Sequence, residues 1–123
     1  MRIRVLVVDD EALIALDIAQ QLNDAGYETI GPATSVATAL KLLREQGCDA
    51  AVLDVQLGSE TSEQVAHELR ALRKPFVILS GYSNESLKSK FGDAPLLCKP
   101  PRVGAVIAAL SQGLERSNMG AVD

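Results

Sequence analysis

The stretch Arg4-Val5-Leu6-Val7-Val8-Asp9-Asp10 decides the fold, because four unbroken apolar residues run directly into two carboxylates. A short apolar run of this kind predicts a strand that is buried on both faces, as in parallel sheets covered by helices. The charges must then lie at an open edge of the sheet. Two adjacent acids repel each other unless a cation, a proton or helix N–H groups relieve them, so Asp9 and Asp10 are candidate site residues.

Three later apolar runs also end in a polar group. Residues 50–54 read Ala-Ala-Val-Leu-Asp, and residues 76–80 read Phe-Val-Ile-Leu-Ser. A short run at 96–98, Leu-Leu-Cys, leads directly into a lysine and a proline. The strand ends therefore carry Asp54, Ser80 and Lys99.

Helical periodicity fills the segments between these runs, and glycine or proline ends most of them. A partly polar segment, Tyr27–Ile30, closed by Gly31-Pro32, predicts an additional strand at an edge of the sheet. The predicted helices cover residues 11–25, a segment from a Thr34 or Ser35 cap to Gly47, and residues 62–72, 85–91 and 103–114. The helix at 85–91 has only Leu87 and Phe91 as an apolar pair, which predicts a weakly anchored element.

Five strands alternating with five helices predict an α/β fold, a flavodoxin-like doubly wound parallel sheet with strand order 2-1-3-4-5. In that order the first and third strands are neighbours where the winding reverses, so Asp9, Asp10 and Asp54 should converge there. Ser80 and Lys99 end strands on the same rim. A hard divalent cation with oxygen ligands would relieve the acidic cluster, and Mg²⁺ is the usual one.

Size and composition bound the possible functions. The 123 residues are expected to form one domain over residues 1–116, followed by a flexible tail at 117–123. Hydrophobic residues make up 47% and aromatic residues 3%, which suits an aliphatic interior. The net charge of −4, with no stretch that concentrates Lys and Arg, argues against nucleic acid and anionic membranes as partners.

The sequence indicates neither a thiolate metal site nor a targeting segment. Cys48 and Cys98 lie far apart, with no second Cys or His at metal-ligand spacing, and both are predicted to be small buried residues. The apolar run after the basic start is too short for a signal peptide, and no stretch reaches the length of a membrane helix. We therefore expect a soluble protein of the reducing cytoplasm.

Four motifs in this order and spacing resemble the receiver domain of two-component response regulators, over roughly residues 3–115. They are Val8-Asp9-Asp10-Glu11, Leu53-Asp54-Val55, Ser80-Gly81 and Lys99-Pro100. The resemblance implies that Asp54 is the phosphoacceptor, that Ser80 hydrogen-bonds the phosphoryl oxygens and that Lys99 pairs with them. It also implies that Asp9, Asp10, Asp54 and the backbone carbonyl of Gln56 hold Mg²⁺, and that the Lys99–Pro100 bond is cis.

The same resemblance extends to partners. It implies a sensor histidine kinase or a histidine phosphotransfer protein as phosphoryl donor, and a downstream regulator as a possible recipient of the signal. The segments 74–82, 94–100 and 54–58 are similar to the FATGUY subgroup of receivers, whose members are often stand-alone domains. Such a domain promotes its own phosphorylation and dephosphorylation, without turnover of a free small molecule.

One departure from the family pattern concerns the switch. Leu96 stands three residues before the lysine, where receivers usually have an aromatic side chain. Ser80, Tyr82 and Leu96 are therefore the candidate switch residues, and whether Tyr82 replaces the missing aromatic is left open. By similarity to the family, Gln56 and Tyr82 flank the phosphoryl group and tune the access of water to it.

Three alternatives remain open. Asp9 or Asp10 alone could simply cap the first helix. A degenerate receiver would bind proteins without being phosphorylated. An aspartyl-nucleophile phosphohydrolase would normally have two aspartates separated by one residue after its first strand, where this chain has Glu11 two residues after Asp9.

His67 is predicted to face solvent on a helix.

Overall fold

The fold is a five-stranded parallel sheet with helices on both faces. The computed structural model describes residues 2–81, 86–102 and 104–121. The strands of the main sheet run in the order β2-β1-β3-β6-β7, and a separate antiparallel pair is formed by two strands of two residues each. The strands are β1 (Arg4–Val8), β2 (Glu28–Ala33), β3 (Ala50–Asp54), β4 (Gln56–Leu57), β5 (Glu60–Thr61), β6 (Phe76–Ser80) and β7 (Leu96–Cys98).

Without the short pair β4-β5, this is the predicted flavodoxin-like order, so the fold prediction is confirmed. The helices are α1 (Ala12–Asp24), α2 (Val36–Gln46), α3 (Glu63–Ala71), α4 (Ser86–Phe91) and α5 (Ala105–Ala121). Helix α5 includes residues 117–121, which the sequence assigned to a tail, and the domain boundary at residue 116 stays a prediction. Two positions predicted to be helical, Glu85 and Val103, lie outside the described residues.

Strand β1 shows why the first apolar run decides the fold. Val5 and Val7 face a core cluster with buried residues of α1 and α5, whereas Leu6 and Val8 face a second cluster with buried residues of α2, α3 and α4. Successive side chains of a strand point to opposite faces, so an unbroken apolar run serves both layers. The strand can therefore be central only if helices cover both of its faces, as they do here.

Strand β2 differs from its prediction, because it does not end at Gly31-Pro32. It continues to Ala33, which is fully buried and whose carbonyl oxygen accepts a hydrogen bond from the N–H of Asp9 at 3.0 Å. Gly31 has φ +95°, and a Cβ there would lie 2.7 Å from the nitrogen of Ala33. The predicted edge position is correct, and an edge strand tolerates a proline that donates no ladder hydrogen bond.

Two side chains predicted to be buried are exposed. Leu72, placed on the apolar stripe of the third helix, lies just after the end of α3 and is 51% exposed. Cys98 is exposed because it is the last residue of the edge strand β7. Cys48 is buried as predicted, and burial raises the pKa of its thiol to about 11.

Helix α3 ends in a motif whose left-handed position is filled by Arg73 rather than glycine. Its φ is +59°, its N–H bonds to the carbonyl of Arg70, and the N–H of Lys74 bonds to the carbonyl of Leu69. A residue with a Cβ pays roughly 1 kcal/mol for this conformation. We expect Arg73→Gly to leave the free energy of unfolding unchanged or to raise it by up to about 1 kcal/mol, measured by urea denaturation.

Lys41 provides the matched control for this substitution. It is exposed in the middle of α2, where glycine has no conformational advantage. Lys41→Gly is expected to lower the free energy of unfolding by about 1 kcal/mol. Equal losses in the two variants would contradict the explanation of Arg73 by its backbone conformation.

Candidate functional site

Four carboxylates converge where β1 and β3 end. The two strands are parallel neighbours with Val8 opposite Leu53, which brings Asp9 beside Asp54. One carboxylate oxygen from each of Asp9, Asp10, Glu11 and Asp54 lies within 4.8 Å of the others. Asp9 and Asp54 are buried, whereas Asp10 and Glu11 are exposed. The structure thus brings together the three acids selected from the sequence and adds Glu11, which was not selected.

Lys99 places a positive charge among these acids. Its Nζ lies 2.9 Å from Oδ2 of Asp54 and 3.5 Å from Oδ2 of Asp9, and it also donates a hydrogen bond to Glu11. The backbone N–H of Lys99 donates a hydrogen bond to the carbonyl of Ser80 at 2.8 Å, which positions the backbone of Lys99 beside the end of β6. Burial disfavours the ammonium, but its hydrogen bonds to Glu11 and Asp54 outweigh burial and raise the pKa of Lys99.

The hairpin β4-β5, which comes shortly after Asp54 in the chain, lies beside the acidic cluster and bonds to two of its carboxylates. The N–H of Gly58 donates to Oδ2 of Asp10 at 2.8 Å, and the N–H of Gln56 donates to Oδ1 of Asp54 at 3.3 Å. The side-chain amide of Gln56 donates to the carbonyl of Gly58, which has φ +62°. Backbone N–H groups of this one hairpin therefore position the carboxylates of both Asp10 and Asp54. The predicted role of the Gln56 carbonyl as a metal ligand stays a prediction.

Ser80 shares one cavity with the acidic cluster. The cavity has a volume of about 540 Å³, and Ser80 itself is buried at the end of β6. Leu87 of α4 lines the same cavity, so the site touches the helix that follows it. Other polar residues of the lining are Asp10, Glu11, Asp54, Gln56 and Lys99.

Of the candidate switch residues other than Ser80, the structure describes only Leu96. Tyr82 lies outside the described residues. Leu96 begins β7 opposite Ile78 and packs against the core cluster that contains Phe91. A leucine suits this position because its side chain packs against the hydrophobic core. Roles for Leu96 and Tyr82 in switching stay predictions.

Comparison with known proteins identifies the family of this chain. The family model of the response regulator receiver domain matches residues 5–97. The chain belongs to the response regulator receiver domain family. The transcriptional regulatory protein PdtaR of Mycobacterium tuberculosis strain H37Rv is 32% identical over 117 residues, covering 92% of this chain and 57% of PdtaR. The phyllosphere-induced regulator PhyR of Methylorubrum extorquens is 30% identical, covering 93% of this chain and 44% of PhyR.

This receiver domain spans about half the length of those two curated relatives. Among solved structures, a response regulator receiver protein from Sinorhizobium medicae is 30% identical, with a TM-score of 0.86 and coverage of 94% of this chain and 97% of that one. PhyR from Brucella abortus is 26% identical, with a TM-score of 0.84 and coverage of 99% and 51%. The resemblance inferred from the sequence is confirmed at the level of the family.

The site of this receiver domain fits a hard divalent cation. Oδ1 of Asp9 accepts a hydrogen bond from the N–H of Glu11 at 2.9 Å, whereas its buried Oδ2 accepts none among the described residues. The ammonium of Lys99 lies 3.5 Å from this oxygen but leaves it without a hydrogen bond, and a divalent cation would satisfy it more fully. Asp10 and Asp54 add further oxygen donors of the type that Mg²⁺ prefers. Asp9, Asp10 and Asp54 are therefore the residues that would hold the ion.

The simpler alternative for the acidic pair, capping of the first helix, is wrong. The N-cap residue of α1 is Glu11, and no side chain caps this end. Asp10 instead bonds to the N–H of Gly58, which is distant in the sequence.

His67 is exposed on α3, as predicted. Among the described residues, no helix has the combination of length and apolar character that crossing a bilayer requires.

Asp9 is expected to make the metal-free domain more stable in weak acid. Burial, opposed by the hydrogen bond from Glu11 and reinforced by the charge of Asp54, raises the pKa of Asp9 from 3.8 to about 6. The folded chain therefore holds this proton more tightly than the unfolded chain. Its contribution to stability is complete below about pH 4 and is lost as the pH rises through about 6.

The measurement compares wild type with Asp9→Asn by urea denaturation in the presence of a chelator. Between about pH 7.5 and pH 4, wild type should gain roughly 2 kcal/mol in free energy of unfolding relative to the variant. Groups that titrate elsewhere, such as Glu68 beside Arg44, are common to both proteins and cancel in the difference. Parallel pH profiles would contradict the expected ionisation of Asp9.

Proposed function

We propose that this receiver domain accepts a phosphoryl group from a phosphohistidine onto Asp54, with Mg²⁺ bound beside it, and signals through contact with other proteins in the cytoplasm. The observation that supports this most strongly is the ion pair of Asp54 Oδ2 with Lys99 Nζ at 2.9 Å, inside a cluster of four carboxylates.

The residues around Asp54 suit phosphoryl transfer because they stabilise charge rather than move protons. The nucleophile is a carboxylate already paired with Lys99, so no general base is needed to activate it. Negative charge gathers on the phosphoryl oxygens during transfer, and the Lys99 ammonium is placed to offset it. Mg²⁺, when bound, supplies further neutralisation of those oxygens.

Phosphorylation would change the partners of Lys99 and Ser80. An acyl phosphate adds about −1.5 to −2 charges at neutral pH, which compete with Glu11 and Asp9 for the ammonium. Ser80 lines the same cavity and offers a hydroxyl to the phosphoryl oxygens. Leu87 of α4 lines the same cavity, which places α4 beside the residues that phosphorylation would rearrange. We propose α4 as the element whose position carries the signal.

The proposed partners are a histidine kinase or a histidine phosphotransfer protein, with a downstream regulator as the recipient. We also propose that the domain turns over no free small molecule. An aspartyl phosphohydrolase would have an aspartate two residues after Asp9, and this chain has Glu11 there. Its carboxylate is instead engaged by Lys99.

The function is tested by intact-mass measurement after incubation with acetyl phosphate and Mg²⁺. Wild type should gain the mass of one phosphoryl group, and Asp54→Asn should gain none. Asp93→Asn is the matched control, because Asp93 is exposed and distant from the site. A wild-type chain that gains no mass with Mg²⁺ present would contradict the proposal and favour a receiver that binds proteins without being phosphorylated.

A further inference from the structure

A second cavity lies at the rim of the sheet opposite to Asp54. Phe76 and Pro95, which lie at the starts of β6 and β7, line it together with the C-terminal part of α5. Its volume is about 770 Å³, within the range of small-molecule sites in proteins. Its apolar lining includes the half-exposed Leu72, the partly buried Pro75, Ala94, Pro95 and Ala109, and the buried Phe76, Phe91 and Leu110. The cavity therefore offers an apolar surface that nothing in the proposed phosphotransfer uses.

The charge of this cavity is opposite to that of the chain. Arg70, Arg73, Lys74 and Arg116 line it, and Asp93 is its only acidic lining residue among those described. The whole chain has 12 Lys and Arg against 16 Asp and Glu. Four of the 12 cationic residues of the chain therefore line this cavity, but only one of its 16 acidic residues does so. This excess of positive charge complements an anion.

Most of these cations are uncompensated by the protein. Arg70 donates to the carbonyl of Lys90 at 3.4 Å. The side chains of Arg73, Lys74 and Arg116 form no hydrogen bond or ion pair with any residue that the structure describes. Other surface cations are either engaged, as in the bond of Arg44 to Glu68 at 3.0 Å, or isolated, as Lys41 is on α2, whereas these three line one cavity. Three donors are thus available for a ligand.

Arg73 also has an unusual backbone conformation. Arg73 holds the left-handed conformation at which α3 ends, where glycine would be free of strain. Strained positions that persist in a protein cluster at binding and catalytic sites. Here the strained residue is one of the uncompensated cations at the cavity. A glycine would relieve the strain but would lose the guanidinium.

We propose that this cavity binds a small organic anion with an apolar, preferably aromatic, body. The anionic group meets Arg73, Lys74 and Arg116, and the apolar body lies against the accessible side chains of Leu72, Pro75 and Pro95. Arginine suits such a ligand, because its guanidinium both pairs with oxyanions and stacks on rings. The lining is mainly apolar, which favours a ligand with an apolar body over an acidic peptide. The inference does not rest on the proposed phosphorylation of Asp54.

The test is a ligand titration of the full chain, in which binding is monitored through the amide chemical shifts in NMR spectra. The probes are 2-naphthalenesulfonate, its neutral counterpart 2-naphthalenemethanol, and inorganic phosphate. The sulfonate should shift amides at residues 70–77, 91–95 and 109–117, and should bind at least about fivefold more tightly than either other probe. Asp54→Asn should bind it as wild type does, which separates this site from the phosphoacceptor.

Arg73→Gly is the decisive variant, because it removes the charge and relaxes the backbone at once. Together with Arg116→Gln, it should weaken sulfonate binding at least about fivefold without loss of thermal stability. Lys41→Gln, an exposed cation on α2, should change nothing. The proposal is overturned if the sulfonate leaves these amides unshifted, if the double variant binds it equally well, or if a hexaglutamate peptide binds here more tightly than the sulfonate.

Discussion

Replacing Lys99 with methionine is expected to slow phosphoryl uptake at Asp54 by about 100-fold or more. Nζ of Lys99 is the only cation within ion-pair distance of Asp54 among the described residues. Removing one preorganised donor from the place where negative charge develops typically costs a factor of about 100 to 1000. Methionine keeps the apolar length of the side chain and loses the charge. The rate of mass gain with acetyl phosphate at saturating Mg²⁺ measures the effect.

Lys41→Met is the control for this substitution, since Lys41 is exposed on α2 and does not line the cavity at Asp54. Its rate should equal that of wild type. Loss of Lys99 also leaves buried carboxylates uncompensated, so the folded fraction of the variant must be checked by circular dichroism under the same conditions. A folded Lys99→Met chain that is phosphorylated at nearly the wild-type rate would remove the lysine from the mechanism.

Phe91→Ala is expected to lower the free energy of unfolding by about 3–5 kcal/mol. Phe91 is fully buried at the C-terminal end of α4 and belongs to the core cluster that includes Val65 and Leu69 of α3. Truncation removes a large apolar side chain and leaves a cavity that the surrounding helices and sheet can fill only in part. Urea denaturation at neutral pH measures the loss.

Leu87→Ala is the matched comparison on the same helix. Leu87 is only partly buried, near the N-terminal end of α4 and close to Ser80 in the shared cavity. Its truncation should cost clearly less than that of Phe91. Equal costs for the two variants would mean that α4 is held along its whole length, which would weaken its proposed role as the moving element.

This contrast refines what the sequence indicated about α4. The spacing of Leu87 and Phe91 predicted a weakly anchored helix with a partial apolar pair. The structure shows that Phe91 is fully buried, whereas Leu87, which lines the cavity at Asp54, is only partly buried. Apolar spacing alone shows that two side chains share a face, but the depth to which each is buried depends on the neighbours that the fold brings to it.

The sheet and the position of the site could be predicted because both depend on local patterns. An unbroken apolar run such as residues 5–8 requires covered faces, and alternation with helices requires parallel strands. Parallel strands in this order bring their carboxyl ends to one rim, so Asp9, Asp54 and Lys99 had to lie near one another. Few other arrangements satisfy these constraints at once.

The features that the sequence did not reveal either depend on contacts between distant segments or are too short to show a pattern. Glu11 was not selected as a site residue, because its hydrogen bond to Lys99 spans 88 positions. The hairpin β4-β5 has strands of two residues, too short to show alternation. The cationic cavity combines side chains from α3, α5 and the loops before β6 and β7, and no segment of it stands out in the sequence.

Calorimetric titration of Mg²⁺ into the receiver domain tests most directly whether Asp9, Asp10 and Asp54 form one site. We expect one ion to bind per chain, and each of Asp9→Asn, Asp10→Asn and Asp54→Asn to weaken binding by about tenfold or more, because each removes a charged oxygen donor. Asp93→Asn should bind as wild type does. If wild type binds no Mg²⁺, or if the three substitutions leave its affinity unchanged, the convergent carboxylates are not a metal site.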